Sequence, residues 1–172
     1  MFFILECMGD LAQIESLPDS SLSASTEHSS GLVAANSRLY EGQDTGVEYS
    51  WSASSNVIGQ WIQVDLLQAK WIHKAATQGR NAVTQWVTSY QLKYSLTNVE
   101  ANFVYVTSPE DGAIETFDAN FDMGSVVFNT FASIFAQFVR LYPQTWNNHI
   151  SLRWEVYACY TGMRVLQICP NY

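Results

Sequence analysis

Phe138-Val139-Arg140-Leu141-Tyr142 and, just beyond it, Leu152-Arg153-Trp154-Glu155-Val156-Tyr157 decide how this chain folds. The first run is apolar on both faces except at Arg140, the pattern of a central strand with neighbours on each side. The second alternates, with Leu152, Trp154 and Val156 on one face. Upstream, Tyr90-Gln91-Leu92-Lys93-Tyr94-Ser95 places Tyr90, Leu92 and Tyr94 on one side. In Trp61-Ile62-Gln63-Val64-Asp65-Leu66, Ile62, Val64 and Leu66 point one way while Gln63 and Asp65 point the other. Short runs of period two, separated by turn signals, predict antiparallel β-structure. Before them, residues 8–31 carry Ser-rich turn chemistry around Leu17-Pro18-Asp19-Ser20-Ser21 and Ser23-Ala24-Ser25-Thr26. No helical period, internal repeat or low-complexity linker interrupts the series, so a sandwich or closed barrel is expected.

Composition agrees. The chain has 172 residues, about one domain, with 48% hydrophobic and only 14% charged residues. Soluble domains average roughly 25% charged, so neutral polar groups dominate the expected surface. Six Trp, nine Tyr and nine Phe suit broad sheet faces where rings pack across strands. The formal net charge is −8, and the eight cations (Arg38, Lys70, Lys74, Arg80, Lys93, Arg140, Arg153 and Arg164) form no cluster. That argues against nucleic-acid partners and opposes approach to anionic membranes. No stretch approaches 18 apolar residues, the length of a membrane-spanning helix. Three cysteines occur, Cys7, Cys159 and Cys169. Their spacing alone leaves a disulfide between the first two and buried free thiols equally open.

Taken in order, several segments resemble the discoidin, or coagulation factor 5/8 C-terminal type, family. They begin with Cys7, Ile14 and Leu17-Pro18-Asp19-Ser20-Ser21-Leu22-Ser23-Ala24-Ser25, then Arg38-Leu39 and Trp51-Ser52-Ala53. Gln60-Trp61-Ile62-Gln63-Val64-Asp65-Leu66 is similar to the family's Q-W-L-Q-V-D-L, followed by Thr77-Gln78-Gly79-Arg80 and Trp86-Val87-Thr88-Ser89-Tyr90. Phe138-Val139-Arg140-Leu141-Tyr142-Pro143, Trp146, Ile150-Ser151-Leu152-Arg153-Trp154-Glu155 and Cys159 complete the set.

The resemblance implies an all-β, eight-stranded antiparallel jelly-roll sandwich with loops projecting at one rim. It also implies a disulfide between Cys7 and Cys159 that joins the termini. Residues 1–6 then read as a leader remnant or linker, 7–159 as the domain and 160–172 as a tail or the start of a following segment. Cys169 is left over. Met1-Phe2-Phe3-Ile4-Leu5 is too short for a signal peptide, and a piece of a longer secreted protein is expected. Two departures stand out: Phe103 takes the place of a family Trp after a rebuilt 96–102 turn, and Ala119 replaces a Gly where positive φ is often needed.

An enzyme is not expected. His28, His73 and His149 are the only histidines, and no nucleophile-elbow or zinc-protease motif surrounds them. Arg140 and Arg153 read as structural, with Asp65 or Glu155 as expected partners. Trp51, Trp61, Trp71, Trp146 and Trp154 read as framework or core. By motif order, ligand contacts fall on a first rim loop (27–36) with His28, Leu32, Val33 and Asn36, and on a second (80–86) with Arg80, Asn81, Ala82, Val83, Gln85 and Trp86. Small apolar tips at Leu32, Val33, Ala82 and Val83 would contribute only a few kcal/mol of membrane insertion, at roughly 25 cal/mol per Å². Anionic phospholipid is therefore disfavoured. Sugar hydroxyls suit Arg80, Asn81, Gln85, His28 and Asn36, with Trp86 or Tyr40 as the aromatic face.

No cofactor or metal is expected; the one alternative is a loop Ca²⁺ on Asp44, Glu48 and carbonyls of Gly42–Gly46, without EF-hand spacing. The expected role is extracellular adhesion or recognition of a cell-surface glycan or protein. The alternatives are a phospholipid-binding module, a targeting appendage of a larger secreted enzyme, and a homo-oligomer with Cys169 bridging chains.

Overall fold

A computed structural model describes residues 3–42 and 49–165, with side chains over 9–42 and 49–159. These residues form strands β1 (Phe3–Ala12), β2 (Leu22–Ala24), β3 (Trp51–Ser52), β4 (Ile62–Gln78), β5 (Trp86–Ser95), β6 (Val104–Tyr105), β7 (Phe117–Asp118), β8 (Val127–Asn147) and β9 (Ser151–Val165). Short 3-10 turns are the only helical pieces among them. Hydrogen bonding thus counts nine strands, several of two or three residues, within the expected antiparallel architecture.

Two long strands create the layers. β4 and β8 pair along their length, from Ile62 opposite Leu141 to Thr77 opposite Val127. Their register shifts between Asp65 and Lys70 and again between Ile72 and Lys74. There Leu67 takes φ 63°, its amide held by the Asp65 carboxylate at 2.8 Å. The pair therefore doubles over. Its outer part joins β2 and β5, while the part beyond the bend joins β9, which in turn pairs with β1. Ile62, Val64, Leu66, Val139 and Leu141 from one layer meet Ile72, Ala75, Leu152, Trp154 and Val156 from the other in one buried cluster.

Folding the pair over also sorts the ends of the molecule. The bend carries Trp71 tilted against Phe135, ring centroids 5.1 Å apart. The opposite end collects the start of β4, its end at Gln78, the end of β8 and the start of β9, so their connecting loops share one rim.

Central position overrides alternation in β9. Arg153 and Glu155 are as buried as Leu152, Trp154 and Val156, because connecting segments cover the outer face: Arg153 meets the carbonyls of Gly79, Glu41 and Met123, and Glu155 the amides of Gln13, Ile14 and Glu15. Ala119 needs no positive φ: only Tyr40, Leu67, Ala82 and Asn148 adopt it among the described non-glycine residues. The Ala119 amide instead donates to the Thr88 carbonyl at 2.8 Å. Cys159 is disulfide-bonded, while the side chains of Cys7 and Cys169 lie outside the described residues.

Candidate ligand-binding rim

The loop between β4 and β5 is a tight, self-bonded turn. The Arg80 amide donates to the Gln85 carbonyl at 3.0 Å, and the Gln85 amide to the Val83 carbonyl at 2.8 Å. Ala82 sits at its tip with φ 64°, a left-handed conformation that costs an Ala about 1 kcal/mol. Gln85 is the junction of the site. Its Oε1 accepts from Arg80 Nη1 at 2.7 Å and from Ser151 Oγ at 3.2 Å. Thr84 offers its carbonyl to the Nδ2 groups of Asn147 and Asn148, at 2.9 and 2.7 Å, so the β8–β9 turn is locked to this loop.

The stretch between β2 and β3 reaches the same place from the other side. The His28 amide donates to the Ser52 carbonyl at 2.9 Å, and Ser52 Oγ lies 2.7 Å from Ser151 Oγ. Within the loop, the Glu27 carboxylate receives the Ala34 amide at 2.8 Å and Asn36 Nδ2 donates to the Gly31 carbonyl at 2.9 Å. The His28 ring meets His149 edge to face, centroids 5.4 Å apart. His149 Nδ1 faces the Ile150 carbonyl at 3.1 Å. Burial holds the His149 imidazole below its usual 6.5, with His28 and Arg80 acting in the same direction and the Ile150 hydrogen bond opposing them. A third loop, between β3 and β4, is tied on through Asn56, which donates to the Asn148 carbonyl at 3.1 Å and accepts from the Ile150 amide at 2.9 Å.

Of the residues expected at the site, His28, Arg80 and Gln85 converge. Asn36 and Asn81 brace the loops instead, Asn81 donating to the Gly42 carbonyl at 2.6 Å. Trp86 is half-buried where β5 begins, Val33 and Val83 are half-buried, and Ala82 and Tyr40 are exposed. Leu32, expected at a loop tip, is buried. Its amide closes a turn onto the Ser29 carbonyl and its own carbonyl accepts from Ser52, folding the side chain inward. Besides Ala82 and Tyr40, this end also exposes the apolar residues Val57, Ile58, Phe121 and Met123.

Sequence reasoning missed those four, together with Asn56, Asn148, His149 and Ser151. The signal available for them was turn chemistry: Asn147-Asn148 between two strand patterns, and apolar residues set between Asn, Asp and Gly. Asp44 and Glu48, the suggested Ca²⁺ ligands, lie outside the described residues. Among the described residues no three His, Cys, Asp or Glu side chains gather as a metal site.

The buried ionic groups behind the rim take partners other than those expected. Arg153, with its pKa lowered to about 10 by burial, stays charged at neutral pH. It donates to the carbonyls of Gly79, Glu41 and Met123 at 2.9, 3.0 and 3.3 Å, tying three loops together. Glu155 accepts from the amides of Gln13, Ile14, Glu15 and Val156, and so pins the chain after β1. Burial, the largest influence, raises its pKa despite those bonds. Arg140 pairs with Glu100 and Gln63 and lies between the rings of Trp61 and Phe103, 4.1 and 3.9 Å from their centroids. Local sequence pointed to Asp65 or Glu155, but folding brings Glu100 closer. His73 and Lys74 both bond Asp10 on the outside of the sheet, at 2.8 and 2.5 Å.

Comparison with known proteins bears on this arrangement. The F5/8 type C domain model matches residues 21–156. Discoidin-2 of Dictyostelium discoideum is 43% identical over 110 residues, covering 63% of this chain and 40% of that protein. The native structure of recombinant discoidin II from the same organism superposes with a TM-score of 0.74 at 34% identity, over 90% of this chain and 60% of that one. The chain therefore spans about half the length of these relatives. A module of Clostridium perfringens, CpGH89CBM32-5, solved in complex with GalNAc-β-1,3-galactose, shares the fold with a TM-score of 0.63 at 20% identity over 86% of this chain and 100% of its own. With the family model covering β2 to β8, the start of β9 and the rim loops, the chain belongs to the F5/8 type C, or discoidin, domain family, whose domains are generally non-catalytic binding modules.

Proposed function

We propose that this chain is an extracellular adhesion or recognition module that binds a glycan on the rim where His28, Arg80, Gln85, His149 and Ser151 meet. The observation that carries the reading is the junction at Gln85, whose amide oxygen joins Arg80 of its own loop to Ser151, the buried first residue of β9. Glycan sites need fixed polar groups for ring hydroxyls and an aromatic face for the C–H surface. Here the polar groups are braced before any ligand arrives, which lowers the entropic cost of binding. Trp86, half-buried at the edge of the same loop, supplies the aromatic face. The complex of a similarly folded module with GalNAc-β-1,3-galactose supports a sugar as ligand.

A glycan array with the purified chain, followed by calorimetry on its hits, tests this. Gln85→Ala should weaken binding at least tenfold without unfolding the protein. An array without hits, alongside capture of a protein partner, would replace the glycan with a protein ligand. Val57 and Ile58, 52% and 63% exposed beside Asn56, favour a second reading as a phospholipid-binding tip. The net charge of −8 works against it. Co-sedimentation with phosphatidylserine vesicles at low salt distinguishes the two.

A further inference from the structure

The loop joining β7 to β8 carries Phe121, at 72% exposure the most open large hydrophobic side chain among the described residues. Its backbone is nonetheless held from both sides. Asn120, 2% exposed, donates to the carbonyls of Thr77 and Ser125 at 3.1 and 2.8 Å. The Asp122 carboxylate accepts from the amides of Gly124 and Ser125 at 2.8 and 2.6 Å and from Ser125 Oγ at 2.7 Å. Gln78 Nε2 donates to the Gly124 carbonyl at 2.7 Å, and Arg153 holds the Met123 carbonyl. An exposed aromatic on a mobile tip would swing against the nearest apolar surface. This one is displayed on a fixed backbone.

Its place relative to the rim is set by Gly79, the first residue after β4. A Cβ on Gly79 would fall 2.6 Å from Met123 Cα, 2.8 Å from the Asp122 carbonyl oxygen and 3.1 Å from Trp86 Cβ. The Phe121 loop and the Arg80–Trp86 loop therefore abut, and only a hydrogen at position 79 lets them close. Arg153 reinforces the seam by holding the Gly79 and Met123 carbonyls with one guanidinium.

We infer that Phe121 is the platform of a second sugar subsite, beside the rim and continuous with it, so that the module reads at least two linked sugar residues. This rests on the glycan reading above. A pyranose presents a face of C–H groups that packs on an exposed ring, and the loop that carries this ring is already held against the Arg80–Trp86 loop. The second residue is neutral, because Asp122 flanks Phe121 in a protein of net charge −8 and would repel a carboxylate or sulfate.

Calorimetric titration of the purified chain with galactose and with a GalNAc-β-1,3-galactose disaccharide is the test. The disaccharide should bind about fivefold more tightly, the size of one aromatic contact. Phe121→Ala should remove that advantage and leave galactose affinity unchanged, while Phe121→Trp restores it. Thermal melts identify any variant that is merely unfolded, an unexpected outcome for so exposed a side chain. Equal affinities for both sugars in the wild type, or a disaccharide advantage that survives Phe121→Ala, overturn the subsite and leave the rim reading intact. Failure of the wild type to bind either sugar, or anything on a glycan array, overturns both.

Discussion

His28 and His149 meet edge to face at 5.4 Å, their planes 86° apart, where two loops of the rim close on each other. The imidazole of His149 is held below its usual 6.5, first by burial and then by its electrostatic interaction with His28 and Arg80. The unfolded chain therefore binds a proton at this position more readily than the folded one. Stability is fully present above 6.5, and it is lost as pH falls from there through the lower folded value. Urea midpoints measured at intervals from about pH 7.5 to 5 should decline on acidification. His149→Asn should flatten the decline, and an unchanged slope would show that His149 is not its source.

Arg140 separates two contributions that look alike on paper. Its side chain is 6% exposed and lies between Trp61 and Phe103, whereas its ionic partner Glu100 is 71% exposed. Ion pairs with one partner in solvent contribute roughly 0–1 kcal/mol, so Glu100→Gln should change stability little. Arg140→Lys keeps the charge but loses the planar stack and the 2.7 Å bond from Nε to Gln63. That should cost about 2 kcal/mol or more. Equal effects of the two substitutions in chemical denaturation would mean that the ion pair, not the ring sandwich, sets the energetics.

The strands were legible because their apolar residues recur with period two in the sequence, and Ile62, Val64 and Leu66 are buried as that alternation requires, although Gln63 between them is buried as well. Phe138 to Tyr142 is buried throughout, as expected of a central strand. Partner choice was not legible. Arg140 finds Glu100 across 40 positions, and Glu155 spends its carboxylate on backbone amides about 140 positions away. Such pairings depend on how β4 and β8 double over, which a local pattern does not encode. At the rim, the side of a loop that faces water depends on its internal hydrogen bonds. Those bonds turn Leu32 inward, while the short 54–59 and 120–125 loops leave Ile58 and Phe121 outside. His149 was read as structural rather than as part of the rim for a related reason: the residue is near the last strand in sequence, but its neighbours His28 and Arg80 come from distant loops.

Gly79 is predicted to be intolerant of any side chain for steric reasons alone, since its φ is not in the positive range. Gly79→Ala must push Met123 and Asp122 away from Trp86, an overpacking strain of about 1–3 kcal/mol. Gly124→Ala, in the facing β7–β8 loop with nothing within 4 Å of the added methyl, should stay within about 0.5 kcal/mol of wild type. Denaturant midpoints for the two variants make the comparison. If Gly79→Ala proves neutral, the seam between the two loops is looser than the contacts imply.

Cys159 is disulfide-bonded, and the β1–β9 register sets Asp10 opposite Cys159 and Cys7 opposite Thr161, with an irregularity between Cys7 and Asp10. Cys7 is thus the cysteine that the sheet carries toward Cys159, and the pairing expected from the family resemblance is the one predicted. A non-reducing digest should yield one linked peptide pair containing Cys7 and Cys159, with Cys169 open to alkylation. Cys7→Ser should destabilise the domain by roughly 2–5 kcal/mol, because the bridge closes nearly the whole chain into one loop. A Cys159–Cys169 peptide would instead close a short loop at one end, leave the β1–β9 pairing held by backbone hydrogen bonds alone, and make Cys7→Ser nearly silent.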